Sequence, residues 1–465
     1  DLDVDGRDDV YLVDLRTEPT LASARRIFTS VDTNLEASEL KWSPDGRKLA
    51  VFADMTLSLA DELWVVDLTD LANPGAPVRV SQPGTSSSLD VYANDYEFSP
   101  DGRKIAWVGD NASSSVDELW VVDLSGAVPT APARAHVTMP STSDINGSFL
   151  WTPDSRGLVF NADLDATSRD EIFFTDVSGA PPYTQVRVSG ALQVSGDFFA
   201  NFTQGVHEHM AFSEDGTTLF FIGDAVNEGR EDLFIATYGN GTFSARTAVT
   251  AHTISFATCD SAKWSPDGSR ILVRGDLRGS SQDELFVFDV LGTLPITNPT
   301  PLRGGDTSRE MGFSFLEDYR WSPTGDAVAF IGDFDLVNAE ELYYADVSGP
   351  TPMVTKLNEP FSSSAQQVGE FRFSPSGGRL VYLSDQRSSF DELRVVDLGP
   401  TGPGPAQLLH PTLTVSGLGV FQNTDGFDNA WFWIDEQALI LRGDLETSGC
   451  ARAYRGHPAA GPPFP

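Results

Sequence analysis

Nine residues at the start of the sequence, Asp1-Leu-Asp3-Val-Asp5-Gly6-Arg-Asp8-Asp9, have the types and spacing of an oxygen-ligand cation loop. Alternate carboxylates at Asp1, Asp3 and Asp5, with Asp9 beyond a glycine that permits a sharp turn, suit calcium, which prefers hard oxygen donors. The bidentate Glu that completes a helix–loop–helix calcium site is missing. Asp163-Leu-Asp165 and Asp333-Phe-Asp335 are partial echoes of the pattern. A second candidate is His207-Glu208-His209, a local cluster of transition-metal ligands. Residues two apart on a strand point the same way, so His207 and His209 are placed to share one ion, with His136 and His252 available as further ligands. Two histidines in an exposed loop are more often polar surface than a metal site.

Carboxylates also recur with a long period. Asp54, Asp110, Asp163, Asp224, Asp276, Asp333, Asp385 and Asp444 each stand twelve residues past an aromatic: Trp42, Phe98, Trp151, Phe212, Trp264, Trp321, Phe373 and Phe432. A carboxylate pair follows in most cases, as in Asp61-Glu62, Asp117-Glu118 and Asp283-Glu284. A catalytic acid is needed once, so eightfold recurrence points to aspartates that accept backbone N–H groups and close loops. The sequence contains no G-x-S-x-G elbow, H-E-x-x-H, C-x-x-C or phosphate-binding glycine loop.

These carboxylates lie in a repeat: an aromatic-Ser-Pro-Asp-Gly turn, an apolar strand ending in Asp, then Asp-Glu-Leu and another apolar strand. LKWSPDGRKLAVFAD…DELWVVDL at 40–68 and YEFSPDGRKIAWVGD…DELWVVDL at 96–124 are the clearest of eight copies, spaced 52 to 61 residues apart. In the first complete copy, strand a is expected over Glu39–Ser43, a turn at Pro44-Asp45-Gly46, strand b over Lys48–Ala53, strand c over Glu62–Asp67 and strand d over Pro77–Val80. Both faces of b and c are apolar, as a sheet covered on both sides requires. A period of this length with four strands per copy predicts an all-β fold: a single eight-bladed β-propeller of four-stranded antiparallel blades. Residues 9–15 match strand c and Arg25–Thr29 match strand d, with no a or b before them. Two closures stay open. Residues 1–30 supply closing strands that pair with the C-terminal a and b strands, or Ala451–Arg455 forms the last strand c and the N-terminal strands pair elsewhere. On this reading 1–456 is the propeller, with repeats over 38–456, and 457–465 is a Pro-rich tail. The sequence opens inside a repeat, so a processed or incompletely represented N-terminus is expected.

The long d–a connections, such as Ser81–Asp95 and Ser189–Glu208, fall on the same face as the b–c loops, making that face the expected binding surface. Its aromatics Tyr92, Phe198, Phe199, Phe202, Phe256, Phe313, Phe315 and Phe421 are candidate partner anchors. Exposing all of them would make a large apolar patch, so several are expected to tuck onto their own blade tops. With 67 acidic against 31 basic residues the formal net charge is −36, which disfavours nucleic acid and anionic lipid. No apolar run reaches the length of a membrane helix, so no direct membrane insertion is expected. Cys259 and Cys450 are too few for a disulfide framework, and whether they pair is left open.

The SPDG-strand-Asp-…-DELYVVDL unit resembles the TolB-type, WD40-like β-propeller repeat over essentially residues 1–456. That resemblance implies the fold and an extracytoplasmic setting: periplasm, cell surface or secreted. Its relatives include envelope scaffolds, the propellers of prolyl oligopeptidase-like peptidases and some uronate lyases. A peptidase of that kind would need an appended α/β-hydrolase domain, which these residues do not contain. The expected function is therefore a non-catalytic, acidic scaffold for protein binding or self-assembly, with calcium as its one candidate cofactor. The alternatives are a metal-dependent uronate-lyase-like enzyme using His207 and His209, and a calcium-dependent surface adhesion or array component.

Overall fold

The computed structural model describes residues 9–13, 24–29, 37–53, 62–81, 91–109, 116–137, 145–164, 170–190, 209–223, 231–251, 258–279, 283–296, 299–302, 319–332, 334–336, 339–363, 366–385, 392–409, 419–420, 431–444 and 452–456. Among them every regular element is a β-strand, and no helix is long and apolar enough to cross a membrane. The chain divides into two units, Asp1–Ala251 and His252–Pro465.

The first unit holds four sheets of the repeat type. In repeat I, strands a (Ala37–Trp42), b (Lys48–Ala53), c (Glu62–Asp67) and d (Val78–Arg79) pair antiparallel in chain order. Repeats II to IV follow the same order, with c strands Glu118–Asp123, Glu171–Asp176 and Asp232–Gly239. Asp9–Leu12 and Arg25–Thr29 form a separate two-stranded sheet whose Val10, Ile27 and Phe28 pack on Leu49, Val51 and Val66 of repeat I.

In the second unit, repeat V has three strands, its fourth replaced by a single bridge from Phe286 to Pro301. Repeats VI and VII again carry a to d in order. The last sheet pairs Trp431–Asp435 with Ala438–Asp444, and Ala438–Asp444 with Arg452–Gly456. The strand beside Ala438–Asp444 is therefore the C-terminal Arg452–Gly456. Pairing register also corrects one anchor. Trp433 lies opposite Leu439, as Trp42 lies opposite Leu49, so Trp433 and not Phe432 holds the anchor place of the last repeat. A register shift between Trp433 and Asp435 accounts for the offset.

The local cause of each a–b turn is visible atom by atom. Ser43 Oγ donates to Asp45 Oδ1 (2.7 Å) and accepts from the Lys48 N–H (2.8 Å), while Gly46 N–H closes on Ser43 O (2.8 Å). Gly46 takes φ 67°, which glycine adopts without steric cost. Repeat III puts Ser155 there at φ 60°, and its Oγ accepts the Asp101 N–H of the preceding turn (2.9 Å). That bond offsets the strain by tying two repeats together.

Faces of b and c are buried on both sides, as the sequence pattern requires: Leu49, Ala50, Val51 and Phe52 are each 3% exposed or less. Successive repeats also join at strand a. Trp151 Nε1 donates to Glu97 O (3.1 Å), and Trp321 Nε1 to Lys263 O (3.1 Å). Burying side chains of this size contributes about 1.5–3 kcal/mol each, so the framework beneath the loops is rigid.

Candidate functional site

At one end of each sheet, strand b ends, c begins, d ends and the long connection to the next a departs. The carboxylate that opens strand c lies there. Glu62, Glu118, Glu171, Asp232, Glu341 and Glu392 are all 5% exposed or less. Buried carboxylates require partners, and the structure supplies a cation by a regular rule. The strand-d residue opposite the third residue of strand c is Arg79 across from Trp64, Arg134 from Trp120, Arg187 from Phe173 and Lys356 from Tyr343. These reach Glu62 (2.7 Å), Glu118 (2.7 Å), Glu171 (2.8 Å) and Glu341. Arg134 and Arg187 also lie over the rings of Trp120 and Phe173, at 5.3 and 5.8 Å.

In repeat IV, where Ala248 lies opposite Phe234, Asp232 accepts from Thr250 Oγ1 (3.2 Å), and in repeats V and VII another element provides the cation. In repeat V the strand-d position is Pro301, and Arg278 of the b–c loop grips Glu284 with both forks (2.6 and 2.7 Å). In repeat VII the strand-d residue is Leu408, and strand c itself carries Arg394 in the aromatic's place, 2.7 Å from Glu392. In the pairs Asp61-Glu62 and Asp117-Glu118 the second member thus forms a buried ion pair. Burial raises the Glu118 carboxyl, against the opposing pull of Arg134.

A second repeated contact was not read from sequence. The second residue after strand d turns back to accept the N–H of the second residue of strand c. Ser81 Oγ accepts from Leu63 (3.1 Å), Ser189 Oγ from Ile172 (3.2 Å), Thr250 Oγ1 from Leu233 (2.9 Å) and Asn358 Oδ1 from Leu342 (2.9 Å). In repeat II that residue is His136, whose Nε2 accepts from Leu119 (3.3 Å). Its Nδ1 lies 2.6 Å from Val137 O. Both ring nitrogens are committed, so His136 is not open to a metal in this state. Aligning the second residue past each strand d would have shown Ser81, His136, Ser189, Thr250 and Asn358 as one set of acceptors.

The candidate sites read from sequence are placed unevenly. Asp1, Asp3 and Asp5 lie outside the described residues, and Asp9 begins a strand. His207 and His252 are also outside them, while His209 O accepts the Ile222 N–H (3.0 Å). Phe198, Phe199, Phe202, Phe256, Phe313, Phe315 and Phe421 fall outside as well, and Tyr92 lies in the strand Val91–Phe98. Cys259 is buried, and Cys450 lies outside the described residues. Among the described residues no three His, Cys, Asp or Glu side chains are grouped to hold a metal ion. Of the recurrent loop aspartates, Asp163 and Asp276 are buried, and Asp385 accepts the Gln367 N–H (2.6 Å).

No family model matches the sequence. The chain is 30% identical over 138 residues to dipeptidyl-peptidase 5 of Porphyromonas gingivalis, a match covering 28% of this chain and 18% of that protein. Prolyl oligopeptidase B of Galerina marginata is similar over 81% of this chain and 50% of its own (13% identity, TM-score 0.40). The β-propeller domain of the Trilobed protease from Pyrococcus furiosus is similar over 80% of this chain and 97% of its own (16% identity, TM-score 0.32). A putative TolB from Agrobacterium tumefaciens is similar over 60% and 83% (19% identity, TM-score 0.30). The architecture is all-β, with antiparallel four-stranded sheets and β-propellers among its structural neighbours. The expectation of a non-catalytic scaffold, and of no enzyme, is overturned by the sequence match to a peptidase. Motif reading failed there because it searched for a nucleophile, whereas the shared sequence covers less than a fifth of that relative.

Proposed function

We propose that this chain is the β-propeller part of an extracytoplasmic peptidase of the dipeptide-releasing kind, admitting and positioning the peptide. The match to dipeptidyl-peptidase 5 carries this reading. On it, the hydrolytic residues belong to chain beyond these 465, since no nucleophile elbow occurs within them. The finer fold reading is part of the same proposal: eight blades, drawn from eight repeats, in one closed array. The buried ion pairs give the loops that emerge beside them a rigid base, and loops on a rigid base are where binding specificity is carried. The net charge of −36 favours peptides with cationic side chains or a free amino end.

Calorimetric titration of the chain with short peptides, each with a free or an acetylated amino end, tests the reading. Saturable binding that weakens on acetylation and at high salt is expected. No binding, or binding indifferent to the amino end, overturns it.

A further inference from the structure

Repeat II departs from its neighbours at one atom pair. Repeats I, III, IV and VI hold the start of strand c with a hydroxyl or amide oxygen, which keeps its acceptor character at every ordinary pH. His136 does not. A backbone N–H can only donate and a backbone carbonyl can only accept, so Nε2 accepts from Leu119 and the proton sits on Nδ1, facing Val137 O. Protonation would put an N–H on Nε2, donor against donor, at a side chain only 3% exposed.

We propose that His136 is an acid-sensitive latch, whose neutral ring holds the start of strand c in repeat II to the chain leaving strand d, and whose protonation releases that end of the sheet. The surroundings do not welcome the cation. Arg134, on strand d, is the charged group that acts on the ring, and its own charge is matched by Glu118 at 2.7 Å. Asp117, on the other side of Glu118, uses its carbonyl to accept the Ile145 N–H (3.0 Å). From the sheet of repeat III, Gln185 approaches through a neutral amide oxygen that accepts the Val137 N–H (3.3 Å). The ionic pair of that sheet, Glu171 and Arg187, lies 2.8 Å apart.

Burial lowers the latched imidazole to about 4 from its ordinary 6.5. The opened ring therefore takes its proton first. The latch is fully favoured above 6.5 and weakens as pH falls toward 4, below which no further loss follows. Opening should become roughly tenfold more frequent per pH unit across that window, about 300-fold in all. This inference does not rest on the peptidase reading.

Amide hydrogen exchange at Leu119, corrected for the intrinsic pH dependence of exchange, tests it. Global melting would not, because His410 follows strand d of repeat VII in the sequence. In the wild-type chain Leu119 protection should fall across the window. In His136→Asn, which keeps an acceptor as Asn358 does for Leu342, it should stay level. Flat wild-type protection, or an equal fall in His136→Asn, overturns the latch. Titration of the His136 ring by NMR decides the matter even if the variant does not fold. A midpoint near 4 supports the latch, and one near 6.5 refutes it.

Discussion

Arg394→Phe is the substitution with the largest expected consequence. Arg394 and Glu392 are 2% and 3% exposed, with Nη2 and Oε2 2.7 Å apart. At an effective dielectric of about 20, unit charges at that separation attract by roughly 6 kcal/mol before desolvation is subtracted. Removing one member leaves a buried carboxylate uncompensated, which costs about 3–5 kcal/mol. Phenylalanine is the fair test because aromatics fill the same position in repeats I, II, III and VI, so packing alone does not condemn it. For a unit of this size the loss corresponds to a fall in melting temperature of roughly 10 °C. The pairing rule then makes a sharper demand. Leu408 lies directly opposite Arg394, so Arg394→Phe with Leu408→Arg rebuilds the arrangement of Arg187, Phe173 and Glu171. The double variant should recover most of the loss. Urea unfolding of wild type, single and double variants measures it. A single variant within about 0.5 kcal/mol of wild type, or a double variant no better than the single, would refute the reasoning.

Other expectations test the turns and the metal loop. Gly216→Ala should destabilise more than Gly46→Ala. Both glycines have positive φ (69° and 67°), but only at Gly216 would the added Cβ meet Pro153, at 2.6 Å. The excess is about 1–3 kcal/mol of overpacking, read from paired denaturation curves. Ser43→Ala should cost about 1–2 kcal/mol by leaving the Lys48 N–H without its acceptor. The Ser43 hydroxyl is also the main cause holding the Asp45 carboxyl below its ordinary 3.8. Stability from Asp45 is present above that value and lost as pH falls through the lowered one. The variant's Asp45 should therefore titrate closer to 3.8 by NMR, with a shallower acid limb. The spacing of Asp1, Asp3, Asp5 and Asp9 predicts that calcium raises the melting temperature, that EDTA reverses this, and that Asp3→Ala/Asp5→Ala abolishes it. A melting curve indifferent to calcium removes the site.

The repeat was legible because strand alternation and turn chemistry are local. Ser43, Asp45 and Gly46 close their turn with atoms at most five residues apart, so their types alone predict strands b and c at Lys48–Ala53 and Glu62–Asp67. Local pattern could not place Trp433 in the anchor position, because one bulged residue shifts the register by an amount only pairing reveals. Nor could it show that Glu62, Glu118, Glu171, Glu284, Glu341 and Glu392, each opening a strand c, lie against a cation. The partner comes from strand d, from a loop, or from the same strand, and only the cross-strand geometry selects which. The sequence by itself determined the all-β repeat and its acidity, since both follow from residue type and short-range spacing. Only the tertiary structure decided that His136 is a structural acceptor and Arg394 a substitute cation, because each role is defined by a neighbour that folding brings across the sheet.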